Sequence, residues 1–127
     1  CGEIDIMEII GQEPSTLHGT VHYSNTNGDH IQNGKSYYLS GGNKFSDEFY
    51  VFSIVWEEDK IDFYVNDTKY HTVTPQSLGS QNPYPFNDDF FFIFNVACGG
   101  QWPGSPDAST SFPQNMIVDY IRVFQNN

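Results

Sequence analysis

Three runs of β-branched and aromatic residues, separated only by short polar breaks, constrain this chain more than any other feature. They are YVFSIVWEE (50–58), KIDFYVN (60–66) and TKYHTV (68–73). Val, Ile, Tyr, Phe and Trp favour the extended, pleated backbone, and breaks this short leave room only for tight turns. Asn66-Asp67 suits a two-residue hairpin connection, and polar residues around Asp59 mark the other. The stretch therefore predicts consecutive antiparallel strands, with Trp56 read as core.

The rest of the chain repeats the theme. LHGTVHY (17–23) is a shorter strand candidate. DFFFIFNVA (89–97) is apolar at nearly every position, as in a strand covered on both faces. NMIVDYIRVFQ (115–125) alternates, with Met116, Val118, Tyr120 and Arg122 on one face and Ile117, Asp119, Ile121 and Val123 on the other. Helix signals are nearly absent, and Gly, Pro, Asn and Ser crowd residues 24–47, 75–88 and 99–115, read as connections. The predicted class is all-β, an antiparallel β-sandwich. There is no internal repeat and no domain linker. Because the strand pattern is already running at residue 3, the chain reads as an incomplete sandwich, a fragment lacking N-terminal strands.

Composition narrows the function. The 127 residues suit one domain, and 17% aromatic content argues against disorder. A formal charge of −11 would repel nucleic acid and anionic membranes, so neither is expected as a partner. No run of eighteen apolar residues is present. Cys1 and Cys98 decide little: a disulfide requires neighbouring strands, and two separate thiols serve as well. Asn66-Asp67-Thr68 matches a glycosylation sequon, but hairpin-tip polarity accounts for it.

The chemistry lies in CGEIDIMEII (1–10), where Glu3, Asp5 and Glu8 interrupt a run of isoleucines that otherwise reads as a strand inside a sheet. Alternation puts Glu3 and Asp5 on one face, and the next position on that face would be Met7. A β-bulge around Ile6-Met7 supplies the one extra residue that returns Glu8 to the acidic face. Glu3 and Glu8 would then have Cα atoms roughly 13 Å apart, and their side chains can close most of that gap. Carboxyl groups about 5–5.5 Å apart suit a retaining glycosidase, one as nucleophile and one as proton donor. Asp5, between them, can hold their pKa values apart. Three acids on a strand can equally be a solvated face; the isoleucines argue against that.

Here the chain resembles a known family. GEIDIMEIIG (2–11) is similar to the bulged active-site strand of family 16 glycoside hydrolases, in the form found in laminarinase-like endo-1,3-β-glucanases. GTVHYS (19–24), FSIVWEEDKIDFYVND (52–67) and residues 85–125 resemble later strands of that family, in family order. The resemblance implies a concanavalin A-like jelly roll, with residues 1–127 as the C-terminal part of one catalytic domain. It also implies a secreted enzyme that cuts β-1,3-glucan with retention, and a missing N-terminal part as the chain's partner within the domain. By position, Glu3 resembles the nucleophile, Glu8 the acid/base and Asp5 the assisting residue. His22 resembles a cleft histidine, Trp102 an aromatic of the sugar platform, and Asp119 a ligand of a structural calcium ion. No cofactor is implied for catalysis.

The residues alone leave these secondary roles open. Trp102 lies between Gly99-Gly100 and Pro103-Gly104, on a loop where it can stack on a sugar or simply pack. His22 can be a structural histidine, whereas Asp119 among apolar neighbours needs a counter-charge or a cation. Mixed-linkage glucan, agar and carrageenan remain alternative substrates, and glucan recognition without cleavage remains an alternative function. The bulge argues against lichenases, which resemble an unbulged E-x-D-x-E.

Overall fold

The computed structural model describes residues 2–79 and 81–125, which divide into two compact units, Cys1–Phe90 and Phe91–Asn127. The first unit holds two three-stranded antiparallel sheets. One is ordered β1 (Glu3–Glu8), β2 (Thr16–Ser24), β3 (His30–Tyr38), and the other β4 (Phe52–Glu57), β5 (Lys60–Val65), β6 (Thr68–Val73). A single 3-10 turn, Pro85–Asn87, is the helical content of the described residues. None of their helices is long and apolar enough to cross a membrane.

The second sheet forms as its sequence predicts. Glu57 pairs Lys60 and Val65 pairs Thr68, so each hairpin turns through two residues. Asp59 and Asn66 take φ of 59° and 49°, the left-handed region that Asn and Asp tolerate best among non-glycine residues. Asn66 is further fixed by its side-chain oxygen, which accepts from the Val51 amide at 2.9 Å.

The sheets pack face to face. From β2, Leu17, Val21 and Tyr23 point inward; from β5 and β6, Ile61, Phe63, Val65 and Val73 meet them, with Leu78 and Phe86 closing one end. Complete burial of a Phe or Leu side chain contributes about 1.5–3 kcal/mol. Gly19 sits in β2 at the closest approach of the sheets, where an added Cβ would collide with the Tyr70 hydroxyl and the Phe63 ring. On the outer face of β5, Asp62 is only 3% exposed. It is held by the Thr72 hydroxyl, by Lys60 Nζ at 2.9 Å and by Lys69 Nζ at 3.5 Å. Burial pushes its pKa up, but the Thr72 hydrogen bond and the two lysines outweigh burial and hold it below the usual carboxylate range.

Four expectations fail. First, residues 24–47 are not all connection, since β3 runs through them in full register with β2. Second, residues 89–97 and 115–125 form no strand. A strand persists where a neighbour takes up its N–H and C=O groups, and no described segment pairs with these runs. Third, Trp56 is 42% exposed rather than core: edge strand β4 leaves it uncovered, with Nε1 donating to the Phe86 carbonyl at 2.7 Å. Fourth, β1 lies at the edge of its sheet among the described residues, not inside it. Cys1 lies outside the described residues, and any pairing with it does too; Cys98 is exposed.

Candidate active site

The acidic strand is bulged where its sequence requires. On β1, Glu3 pairs His22, Ile4 pairs Val21 and Asp5 pairs Thr20, but Glu8 pairs His18. Three residues of β1 therefore advance against two of β2, and the register shift falls between Asp5 and Glu8. Directly paired residues share a face, so Glu3, Asp5 and Glu8 lie with His22, Thr20 and His18 on the face opposite the core. Ile4, Met7 and Ile9 pack against the two core clusters instead. The apolar half of the strand anchors it, and the acidic half is left free for chemistry.

β3 extends this face, because its register sets Gln32 beside His22, Gly34 beside Thr20 and Ser36 beside His18. His18, Thr20, Gln32, Gly34, Ser36 and Tyr38 line an open groove. Gly34 keeps the floor low: a Cβ there would come within 2.8 Å of Thr20 Oγ1. Ser36 Oγ lies 3.0 Å from His18 Nδ1, tying the two strands together across the groove.

The electrostatics centre on Asp5, whose pKa is raised from 3.8 to about 7. Burial is the main cause, followed by the negative charges of Glu8 and Glu3 and a hydrogen bond shared with Glu3. Below neutrality Asp5 thus carries a proton it can donate to the Glu3 carboxylate. Asp5 Oδ2 lies 3.2 Å from His22 Nε2. The contact lacks the alignment of a hydrogen bond, and this buried oxygen has no aligned donor. Asp5, Glu8 and His22 each present one atom within 4.8 Å of the others, so they could also take a cation.

The arrangement is one carboxylate backed by a neutral acid, with a second carboxylate beyond it, above a groove of hydroxyl, amide and imidazole groups. It can carry out nucleophilic attack and proton transfer at a polyhydroxyl substrate. The structure thus brings Glu3, Asp5, Glu8 and His22 together. Trp102, 51% exposed on a turn, and the exposed Asp119 belong to the second unit. Among the described residues Asp119 joins no group of three or more His, Cys, Asp or Glu able to share an ion. Arg122 stacks on the Tyr120 ring at 4.2 Å. Sequence reasoning missed His18, His30 and the β3 groove residues; HIQNGKSYY carries no clear period-two signal, because Asn33 and Lys35 put polar residues on its other face as well.

Comparison with known proteins agrees with this geometry. The sequence model of glycosyl hydrolases family 16 matches residues 1–122. Over 98% of its length the chain is 38% identical to glucan endo-1,3-beta-glucosidase A1 of Niallia circulans, covering 19% of that protein. It superposes on the X-ray structure of endo-beta-1,3-glucanase from Pyrococcus furiosus with a TM-score of 0.77 and 48% identity, covering 89% of this chain and 43% of that one. For the laminarinase catalytic domain from Thermotoga maritima the TM-score is 0.78 at 43% identity, covering 88% and 45%. The chain spans less than half the length of each of these relatives.

Proposed function

Because the chain belongs to glycosyl hydrolases family 16, we propose that it carries the catalytic strand of a retaining endo-1,3-β-glucanase acting on laminarin-type glucans. One observation supports the reading above the rest: the shift between Asp5 and Glu8 against Thr20 and His18 sets all three acids on the groove face. Glu8 protonates the glycosidic oxygen as it leaves, while Glu3 attacks the anomeric carbon from the opposite side of the ring. Glu8 then removes a proton from water, which displaces Glu3 and returns both carboxyls to their starting states. Asp5, neutral at mildly acidic pH, hydrogen-bonds Glu3 and keeps a third negative charge out of the site. His22 and Trp102 are assigned to sugar binding, the first beside Asp5 and the second by stacking.

In the whole protein, Glu3→Ser should abolish laminarin hydrolysis and leave oligosaccharide binding intact; substantial residual turnover would sink the assignment. Reducing-sugar release from laminarin, mixed-linkage glucan, agar and carrageenan decides the polymer. A binding-only role is disfavoured by the presence of all three acids, and unchanged laminarin chain length on incubation would restore it. A polymer substrate supports reading the enzyme as secreted, which activity in the medium of the producing cells tests. Calcium takes six to eight oxygens, so Asp119 alone does not make a site; it would be one ligand among several. A rise in Tm with added calcium that Asp119→Ala removes is the test.

A further inference from the structure

His30, at the start of β3, takes no part in the mechanism above, yet it is tied to it. Its Nε2 lies 3.0 Å from His22 Nδ1, and the two rings are nearly parallel, at 11°, with centroids 5.0 Å apart. The other nitrogen of His22 faces Asp5 Oδ2 at 3.2 Å. Asp5, His22 and His30 therefore form a line across three strands, from the half-buried acid to an exposed ring. A neutral imidazole has one donor and one acceptor nitrogen, and what one nitrogen bonds to fixes which tautomer is present. If His30 Nε2–H donates to His22 Nδ1, the His22 proton must reside on Nε2, 3.2 Å from Asp5 Oδ2. Without His30, only the unaligned Asp5 carboxyl beside Nε2 is left among the contacts above to bias the tautomer.

We propose that His30 is a positioning residue of the hydrolytic site, one that holds His22 as the Nε2–H tautomer, with its proton on the nitrogen beside Asp5. The proposal deepens the glucanase reading and rests on it for its kinetic part only. The loop that delivers His30 is built for placement. Asn25 Oδ1 accepts from the amides of Asn27 and Asp29, each at 2.9 Å, and Gly28 takes the positive φ of 86° that the turn needs. Ser24 pairs His30 as the first rung of the β2–β3 ladder, so the ring starts from a fixed backbone position. The ionisable groups on this face are Glu3, Asp5 and Glu8 from β1, His18 and His22 from β2, and His30 and Tyr38 from β3, with Lys35 of β3 also lining the groove.

Two measurements on the whole protein test it. The first is ¹⁵N NMR of the His22 ring, which needs no activity. The wild type should give the Nε2–H pattern, His30→Ala a mixture of tautomers, and His30→Gln, whose amide can donate, a return toward wild type. The second is laminarin kinetics across pH. His30→Ala should lower kcat about fivefold, as loss of one hydrogen bond allows, with KM unchanged. It should also move the alkaline limb to higher pH, because the ionised Asp5 loses the nearby Nε2–H dipole that favours its charge. His30→Gln should recover most of both effects. An unchanged His22 tautomer in His30→Ala overturns the proposal, and so does a loss expressed in KM alone. A wild type that cleaves no glucan but shows the tautomer change refutes the glucanase reading and leaves the His30–His22 coupling standing.

Discussion

Asp5→Asn is the sharpest probe of this site, because the substitution keeps the shape of the side chain and removes its titration. In the folded protein the Asp5 pKa is raised from 3.8 to about 7 by burial, by Glu8 and Glu3, and by the hydrogen bond shared with Glu3. At about 1.36 kcal/mol for each tenfold change in the ionisation constant, and discounted by about half because the half-buried carboxyl is screened by solvent, the ionised form costs about 2 kcal/mol of folding stability. The sign follows from the folded state holding its proton more tightly than the unfolded chain. The stabilisation is full below the unfolded pKa and is lost as pH rises toward and through 7. Between pH 5 and pH 8 this one group should therefore remove about 1–1.5 kcal/mol. The substituted amide cannot ionise, so urea unfolding of the whole protein at pH 5, 6, 7 and 8 should show the variant gaining that amount on the wild type as pH rises. The part of the alkaline limb of kcat that Asp5 sets should disappear from the variant's profile, leaving the limb that the general acid Glu8 requires. A stability difference that stays flat from pH 5 to pH 8 would refute the reasoning, because Asp5 would then titrate alike in both states.

Other expectations are simpler to read. Gly19→Ala drives a Cβ into the Tyr70 hydroxyl and the Phe63 ring, and overpacking of this kind should cost about 1–3 kcal/mol in urea unfolding. Phe63→Ala empties a fully buried position at the centre of the sandwich and should cost about 3–5 kcal/mol. Asp62→Ala leaves Lys60 and Lys69 without their shared carboxylate and should lower stability at neutral pH. That deficit should shrink as acid protonates the wild-type Asp62, whose lowered pKa makes its contribution one that falls with pH. Deleting Met7 removes the extra residue and returns β1 to simple alternation, E-I-D-I-E, with all three acids still on the groove face. Hydrolysis should survive in part and Tm should fall with the lost Met7 packing; complete loss of activity would show that the bulge sets more than the face.

Features that rest on neighbours along the chain were legible in the residues alone. The β4–β5–β6 meander followed from β-branched and aromatic runs and two-residue turns, because such turns set the pairing at the closed end of each hairpin, although β5 and β6 shift register once between Phe63 and Tyr64. The bulge in β1 followed from spacing, since a period of two cannot place Glu3, Asp5 and Glu8 together without one extra residue. The rest depended on contacts through space. β3 was hidden because its groove-facing positions, Gln32, Gly34 and Ser36, are polar or absent side chains, and a strand whose outer face serves a site loses much of its hydrophobic signature. The runs 89–97 and 115–125 had the right residues for strands but no ladder among the described residues, and composition cannot supply a pairing partner. Asp5 reads in sequence as an ordinary aspartate. Its burial and its two charged neighbours, brought there by the bulge and the β2 pairing, make it an acid that holds its proton to about pH 7, because desolvation and like charge act between groups that the fold, not the chain order, brings close.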